Sequence, residues 1–318
     1  MSQYGALELA EHGYSDAQIL AHYYRGTAIG AAPAGHVVRV LVGSKVLELP
    51  LETYVKGVVA AEMPSGWPAA ALEAQAIASR TYALTSDAGG TRFDVYSDTR
   101  SQVYRGAAAE TPASNAAVEA TAGQIVTYGG QPAITYFFAS SGGMTENVEN
   151  AFFGAAPRPW LQGVSDPYET SASSWHLSLS MEVAAERLAG LVHGRLLGIE
   201  VLTRGVSPRI LSAEVLGSAG STQVNGAELE SRLGLPSTWA YFSIAEGTSV
   251  TREPDLSGQH SHSAPPKPAA AHKHAKKSAK RARPRAPAPV ADRERGGVAA
   301  PVGQAQQAAS AVGGVAAP

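Results

Sequence analysis

An acid, Glu62, closes an apolar helical run and stands two residues before a proline in the stretch VKGVVAAEMPSGWP, residues 55–68. Val55, Val58, Val59 and Glu62 recur at spacings of three and four, so they share one helix face, and the acid lies on the stripe expected to be buried. Burial strips a carboxylate of water, and the C-terminal end of a helix presents the negative end of the backbone dipole. Both effects favour the protonated form, which is what a proton donor needs. The same position admits a second reading, a structural carboxylate paired inside the protein, with Arg80 on the following helix as its partner. Residue pattern leaves both open.

A second candidate is SSGGMTE, residues 140–146. Two adjacent glycines allow backbone amides to approach a ligand closely, and two hydroxyls beside them suit a polyhydroxylated substrate; the competing reading is an ordinary turn. Ser140 has neither a GxSxG context nor an evident histidine partner, which argues against a serine nucleophile. The chain contains no cysteine, which excludes disulfides, a cysteine nucleophile and thiolate zinc sites. Four of the nine histidines, His260, His262, His272 and His274, lie near the end of the chain, either as weak transition-metal ligands or simply solvated.

Those histidines belong to a segment unlike the rest. Between Ser261 and Arg295 ten Lys and Arg face only Asp292 and Glu294, giving +8 in a chain of net charge −2, so the remainder carries −10. The segment is rich in Ala and Pro and poor in branched and aromatic residues, a composition that cannot bury enough surface to fold. It reads as a spacer, an anchor to a polyanion or a nucleic-acid arm, the last being weakest because no aromatic side chain is interleaved to stack on bases. No apolar run is long enough for a membrane helix, and MSQYGALELAEHGY lacks the charged start and apolar segment of an export signal.

The elements that must position Glu62 follow from punctuation and period. Tyr4 to His12 forms a short helix stopped by Gly13, and Ser15 with Gln18 makes a capping box for a second one ending at His22-Tyr23-Tyr24. HVVRVLV and KVLEL form a hairpin through Gly43-Ser44, and Pro50 serves as the first residue of the Glu62 helix. After the Pro64-Ser65-Gly66 break, Pro68 opens AAALEAQAIASRTYALTS, whose small residues permit close packing. FDVYSDTRSQVYRG alternates as a strand. A helix near 113–122 follows, then a hairpin, QIVTYGGQPAITYFFA, turning at Gly129-Gly130. EVAAERLAGLVHG is an amphipathic helix, GIEVLTRG and RILSAEVLG are strands, and Asn225 with Glu228 caps a last helix ending at Gly234. Hairpins mixed with helices predict an α+β fold, with antiparallel sheets and helices around a substrate groove, over residues 1–248, followed by a disordered basic tail over 249–318.

Four stretches together, YVKGVVAAEMPSGWPAAALEAQAIASRTYAL (54–84), DTRSQVYRG (98–106), TYGGQPAITYFFASSGGMTE (127–146) and VNGAELESRLGLPST (224–238), resemble the stage II sporulation protein D and amidase-enhancer family, SpoIID/LytB. The tail matches nothing in it. The resemblance implies a bacterial cell-wall protein. Sporulation members are lytic transglycosylases that cut peptidoglycan glycan strands, preferably those without stem peptides, whereas amidase-enhancer members are described as stimulating a partner amidase. The family's catalytic glutamate, in its GVVxxEMP motif, falls on Glu62. Matching the other motifs residue by residue implies that Arg80, Tyr82, Gln102, Tyr104, Tyr136, Ser140, Ser141, Gly142, Gly143 and Glu146 line or support the glycan groove. Some members bind zinc through cysteines; with none in this chain, neither a metal nor another cofactor is expected.

The start of the chain departs from the family pattern. MSQYGALELAEHGYSDAQILAHYYRGT is similar to a segment commonly introduced by Gly-His-Gly and often found near the C-terminal end of the domain, and Met1 coincides with that segment's internal methionine. The expectation is that a piece upstream of Met1 carries the histidine and an export signal, so that the protein is extracytoplasmic, wall-associated or secreted. The tail would then tether to anionic wall polymers or a membrane surface, a salt-sensitive attraction without specific nucleic acid. Expected partners are peptidoglycan glycan strands and, on the enhancer reading, a cell-wall amidase.

Overall fold

Caps and breaks expected from the sequence set the first half of the chain. The computed structural model describes residues 1–152, 154–169 and 175–244, and the tail and its histidines lie outside these residues. Ser2 caps α1 (Gln3–Glu11), and the Ser15–Gln18 capping box opens α2 (Asp16–Tyr23). After β1 (Ala28–Ala31), β2 (Val37–Val42) and β3 (Lys45–Pro50) form the hairpin, with Val42 opposite Lys45 across Gly43-Ser44. Pro50 ends that hairpin and is the cap of α3 (Leu51–Glu62), not its first helical residue, while Pro68 caps α4 (Ala69–Thr85).

The second half contains β4 (Val95–Tyr96), a 3₁₀ turn over Gly106–Ala109, α5 (Pro112–Ala120), β5 (Gln124–Tyr128), β6 (Gln131–Pro132) and α6 (Val148–Ala151). It closes with α7 (Met181–Arg187), the meander β7 (Leu196–Arg204), β8 (Ile210–Gly217) and β9 (Gly220–Asn225), and α8 (Gly226–Leu233). The strands make three small sheets, ordered β1-β5-β6, β3-β2-β4 and β7-β8-β9. Every pairing is antiparallel except β2 with β4. The architecture is α+β. Among the described residues no helix is long and apolar enough to cross a membrane.

Four departures have local causes. The alternating stretch from Phe93 pairs only at Val95 and Tyr96, because a turn takes over: Ser101 N–H donates to the Asp98 carbonyl (3.0 Å), and Tyr96 N–H donates to Ser101 Oγ (3.0 Å), a side-chain bond that competes with a ladder. Gln102 and Tyr104 therefore lie beyond the strand, on irregular backbone. The second strand of the β5–β6 hairpin stops at Pro132, after which the chain leaves β5 and runs beside the N-terminal residues: Gln3 and Tyr4 N–H donate to the Phe138 and Ala139 carbonyls, and Phe138 N–H to that of Met1. The helix read over EVAAERLAGLVHG ends at Arg187, where turn bonds replace it. β1 and β9 are additional strands, the first built from small residues that carry little alternation.

Helix α4 organises the larger core. Its Ala71, Ala74, Ala76, Ala78, Ser79 and Ala83 are buried, and these small side chains let α1, α2, α3 and α5 all pack against it. From α3 come Tyr54, Val55, Val58 and Val59, all fully enclosed, each aliphatic worth roughly 1.5–3 kcal/mol of burial. A second core joins Leu188, Ile210, Val215, Val224, Leu229 and Leu233 of the C-terminal sheet, α8 and the turn after α7.

Arg80 is the largest polar group inside the first core. Its Nε and one terminal nitrogen bind the two oxygens of Glu52 (2.9 and 2.7 Å), and the guanidinium also donates to the carbonyls of Gln124 (2.9 Å) and Val118 (3.3 Å), joining α3, α4, α5 and β5. The Arg80 side chain is 0% exposed and that of Glu52 39%. Removing either partner is not equivalent. Glu52→Ala leaves an enclosed cation without its counter-ion and is expected to cost about 3–5 kcal/mol, whereas Arg80→Met lets Glu52 return to water and costs less. Urea unfolding of both variants at neutral pH checks the order.

Candidate active site

Helix α3 ends on Glu62 because Met63 turns extended and Pro64 cannot continue the helix. Glu62 is partly buried at this corner. Its Oε1 accepts a hydrogen bond from the Val103 backbone N–H at 2.6 Å, and its Oε2 one from the Gln3 side-chain amide at 3.2 Å. The same Gln3 amide donates to the Glu62 main-chain carbonyl at 3.3 Å, satisfying one of the carbonyls a helix end leaves open. Burial pushes the Glu62 carboxyl above its ordinary pKa, and the Val103 N–H, the Gln3 amide and the Arg105 charge only partly oppose it.

The neighbours of Val103 explain how its N–H reaches the acid. Gln102, 1% exposed, donates from its side chain to the Ser79 carbonyl on α4 at 3.2 Å. Tyr104 stacks on Tyr54 of α3, with ring centroids 5.3 Å apart. Between these anchors the backbone of Val103 faces Glu62. The crossing needs Gly57, since a Cβ there would lie 2.5 Å from the Tyr104 ring and 3.0 Å from the backbone of Gly106. Arg105 N–H closes the contact by donating to the Gly57 carbonyl at 3.2 Å. Tyr82 lies close enough for the Glu62 charge to act on its hydroxyl, whose pKa burial raises, and its ring meets Tyr136 edge-on at 6.3 Å.

The SSGG loop is held by a different acid. Glu169, 7% exposed, accepts from the hydroxyls of Ser2, Ser140 and Ser141 and from the Ser141 N–H. The serine hydroxyls in turn accept from the amides of Gly142 (3.3 Å) and Gly143 (3.0 Å), with both glycines at positive φ (73° and 102°). The loop amides and hydroxyl protons expected to meet a ligand are thus directed at the loop itself and at Glu169. Arg209 grips the other side through the carbonyls of Ser141 (2.8 Å) and Met144 (3.0 Å), and the Trp239 ring packs on Gly142. Glu146 fastens the loop to the turn before β8, accepting from Asn147, Asn150, Val206 and Ser207.

The structure thus gathers Glu62, Tyr82, Gln102 and Tyr104 around one corner and continues through Tyr82 to Tyr136. Ser140, Ser141, Gly142 and Gly143 form a braced loop whose acid is reached by Ser2, the residue beside Gln3. Arg80 does not pair with Glu62; Glu52 holds it elsewhere. Glu146 is a fastener. Sequence reading missed Gln3, the Val103 N–H, Arg105 and Glu169. Gln3 and Arg105 lay inside stretches already singled out, whereas a backbone donor carries no residue-type signal. Among the described residues no group of three or more His, Cys, Asp or Glu is arranged to hold a metal ion.

Comparison with known proteins fits this geometry. Residues 43–128, which include α3, α4 and the Gln102–Tyr104 segment, match the family described as SpoIID, Stage II sporulation protein. The chain is 30% identical over 209 residues to Stage II sporulation protein D of Bacillus subtilis, covering 57% of this chain and 60% of that one. It is 31% identical over 198 residues to the Amidase enhancer of Bacillus subtilis, covering 56% and 27%. An uncharacterized protein of Brachyspira hyodysenteriae is 43% identical over 120 residues, covering 37% and 32%. The matched segments span less than two thirds of the length of each of these relatives. The motif around Glu62 and the matches to both branches support the SpoIID/LytB family for this chain.

Proposed function

We propose that this protein is a peptidoglycan lytic transglycosylase that acts outside the cytoplasm on glycan strands, preferably those stripped of stem peptides, with Glu62 as its single acid and base. The observation that carries the reading is an acid at a partly exposed corner whose pKa burial raises. Among the described residues, the groups that act on its ionisation are Val103, Gln3 and Arg105, and none is a carboxylate. Glycosidases that use water need two carboxylates. A transglycosylase needs one.

In the proposed reaction Glu62 gives its proton to the glycosidic oxygen as the bond to the anomeric carbon of N-acetylmuramic acid breaks. The carboxylate then takes the proton of the same sugar's 6-hydroxyl, whose oxygen bonds to the anomeric carbon. The products are a 1,6-anhydro end and a free 4-hydroxyl, and Glu62 regains its proton. The sugar's own hydroxyl replaces water as nucleophile at high effective concentration. Tyr82, Tyr104 and Tyr136 offer ring surface near Glu62, while Gln102 and the braced SSGG loop act as supports.

Identity with the protein named Amidase enhancer favours a second reading, a wall-binding module that stimulates an amidase without cutting. The two are separated by incubating the protein and its Glu62→Gln variant with denuded glycan strands and weighing the products. Transglycosylation predicts fragments one water lighter than hydrolysis products, formed about 10²–10⁴-fold more slowly by the variant. Strand binding with no fragments from either protein would decide for the enhancer.

The pH profile gives a further test. Proton donation needs neutral Glu62, so activity is present below its pKa and falls as pH rises through it. Because burial raises that pKa, the fall in kcat/KM is expected above the value of about 4.3 for a solvated glutamate. A profile already declining at that value would contradict a neutral acid.

A further inference from the structure

Gln3 is the first residue of α1, 4% exposed, and its main chain is pinned by the bond from its N–H to the Phe138 carbonyl at 2.8 Å. Its side-chain amide faces two oxygens of one residue, the Glu62 carbonyl at 3.3 Å and Oε2 at 3.2 Å. A main-chain carbonyl only accepts hydrogen bonds, so it fixes which end of the amide points to Glu62. The NH₂ group must face it, and the amide oxygen is turned away. The other groups around the carboxyl are the Val103 N–H on Oε1, the Arg105 guanidinium and the hydroxyl-bearing rings of Tyr54 and Tyr82.

We propose that Gln3 is a positioning residue for Glu62: locked by the Glu62 carbonyl, its amide offers Oε2 hydrogens and no acceptor, so it orients the carboxyl without taking up the proton of the neutral acid. An amide flipped the other way would accept that proton in a hydrogen bond and hold it inside the protein. As found, Oε2 can carry the proton and still accept from Gln3, with the O–H left for a ligand. The contact also trims the stability of the neutral form, because a donor to a carboxylate favours its charge. The proposal rests on the reading of Glu62 as the proton donor.

The test reads Glu62 directly. In the full ¹⁵N-labelled chain, the Val103 backbone amide and the Gln3 side-chain amide both touch the carboxyl, so their resonances should move together with pH, sharing one midpoint, and should stay still in Glu62→Gln. In Gln3→Met, which keeps the side chain's length and removes its hydrogens, the Val103 midpoint is expected to rise by about half to one pH unit, the worth of one ordinary hydrogen bond. A side chain that merely filled space would leave the midpoint in place. The idea is overturned if the Val103 midpoint is unchanged in a folded Gln3→Met protein. Should that variant not fold, the wild-type spectra decide alone: Gln3 side-chain resonances indifferent to the titration would overturn it. Neither readout uses glycan cleavage, so failure of the transglycosylase reading would appear separately, as absent products beside an intact titration.

Discussion

A carboxyl partly withdrawn from water at the C-terminal end of a helix has no donor within its own element, since the amides of the last turn are already spent and the open groups there are carbonyls. Glu62 is in that position, and its donors come from far along the chain: Val103 lies 41 residues on and Gln3 59 residues back. The arrangement around it follows from bringing those two groups to one point. Gly57 lets the 103–106 backbone lie on α3, Gln102 and Tyr104 stop that backbone from turning, and the Phe138 carbonyl holds the first residue of α1 in line. The small residues of α4 allow the helices to come close enough for all of this to hold.

Ser2 and Gln3 are adjacent, yet each serves a different acid. Ser2 donates to Glu169 and Gln3 to Glu62. Glu169 also takes the hydroxyls of Ser140 and Ser141 and the Ser141 N–H, so its oxygens are committed to holding a loop. Glu62 receives fewer donors against a strong desolvation, and burial wins: its carboxyl keeps its proton to a higher pH than a free glutamate. Environment, with identical side-chain chemistry, makes one carboxyl a fastener and raises the pKa of the other.

Features decided by local chemistry were legible in the sequence. The Ser15–Gln18 box, the Gly43-Ser44 hairpin, the α3 face that includes Glu62 and the Asn225 cap all depend on residues within a few positions of one another. Features decided at a distance were not. Alternation in FDVYSDTRSQVYRG suggested a longer strand, but Asp98 and Ser101 supplied a competing turn. Arg80 looked like a partner for Glu62 because it is a cation on the following helix, yet Glu52, at the other end of α3, reaches it instead. The donors to Glu62 escaped notice for separate reasons: one is backbone, and the other is a glutamine, a residue type that does not announce chemistry when taken alone.

The SSGG loop shows why two adjacent glycines need not mean an open amide site. Their positive φ angles direct both N–H groups back at the serine hydroxyls two residues earlier, and those hydroxyls donate hydrogen bonds to Glu169. From the other side Arg209 takes two loop carbonyls, even though burial lowers its own pKa and the charges of Glu146, Glu169 and Glu230 must offset that cost. With donors and acceptors committed on both flanks, the loop presents a fixed shape. A ligand meeting such a surface loses little to ordering the protein, and the gain depends on geometry set in advance by Glu169 and the C-terminal sheet. The same bracing holds at Glu62, where Val103 and Gln3 fix both carboxyl oxygens. In both places the geometry is set by residues distant in the chain, and substitutions that loosen them would disturb it without touching the acids themselves.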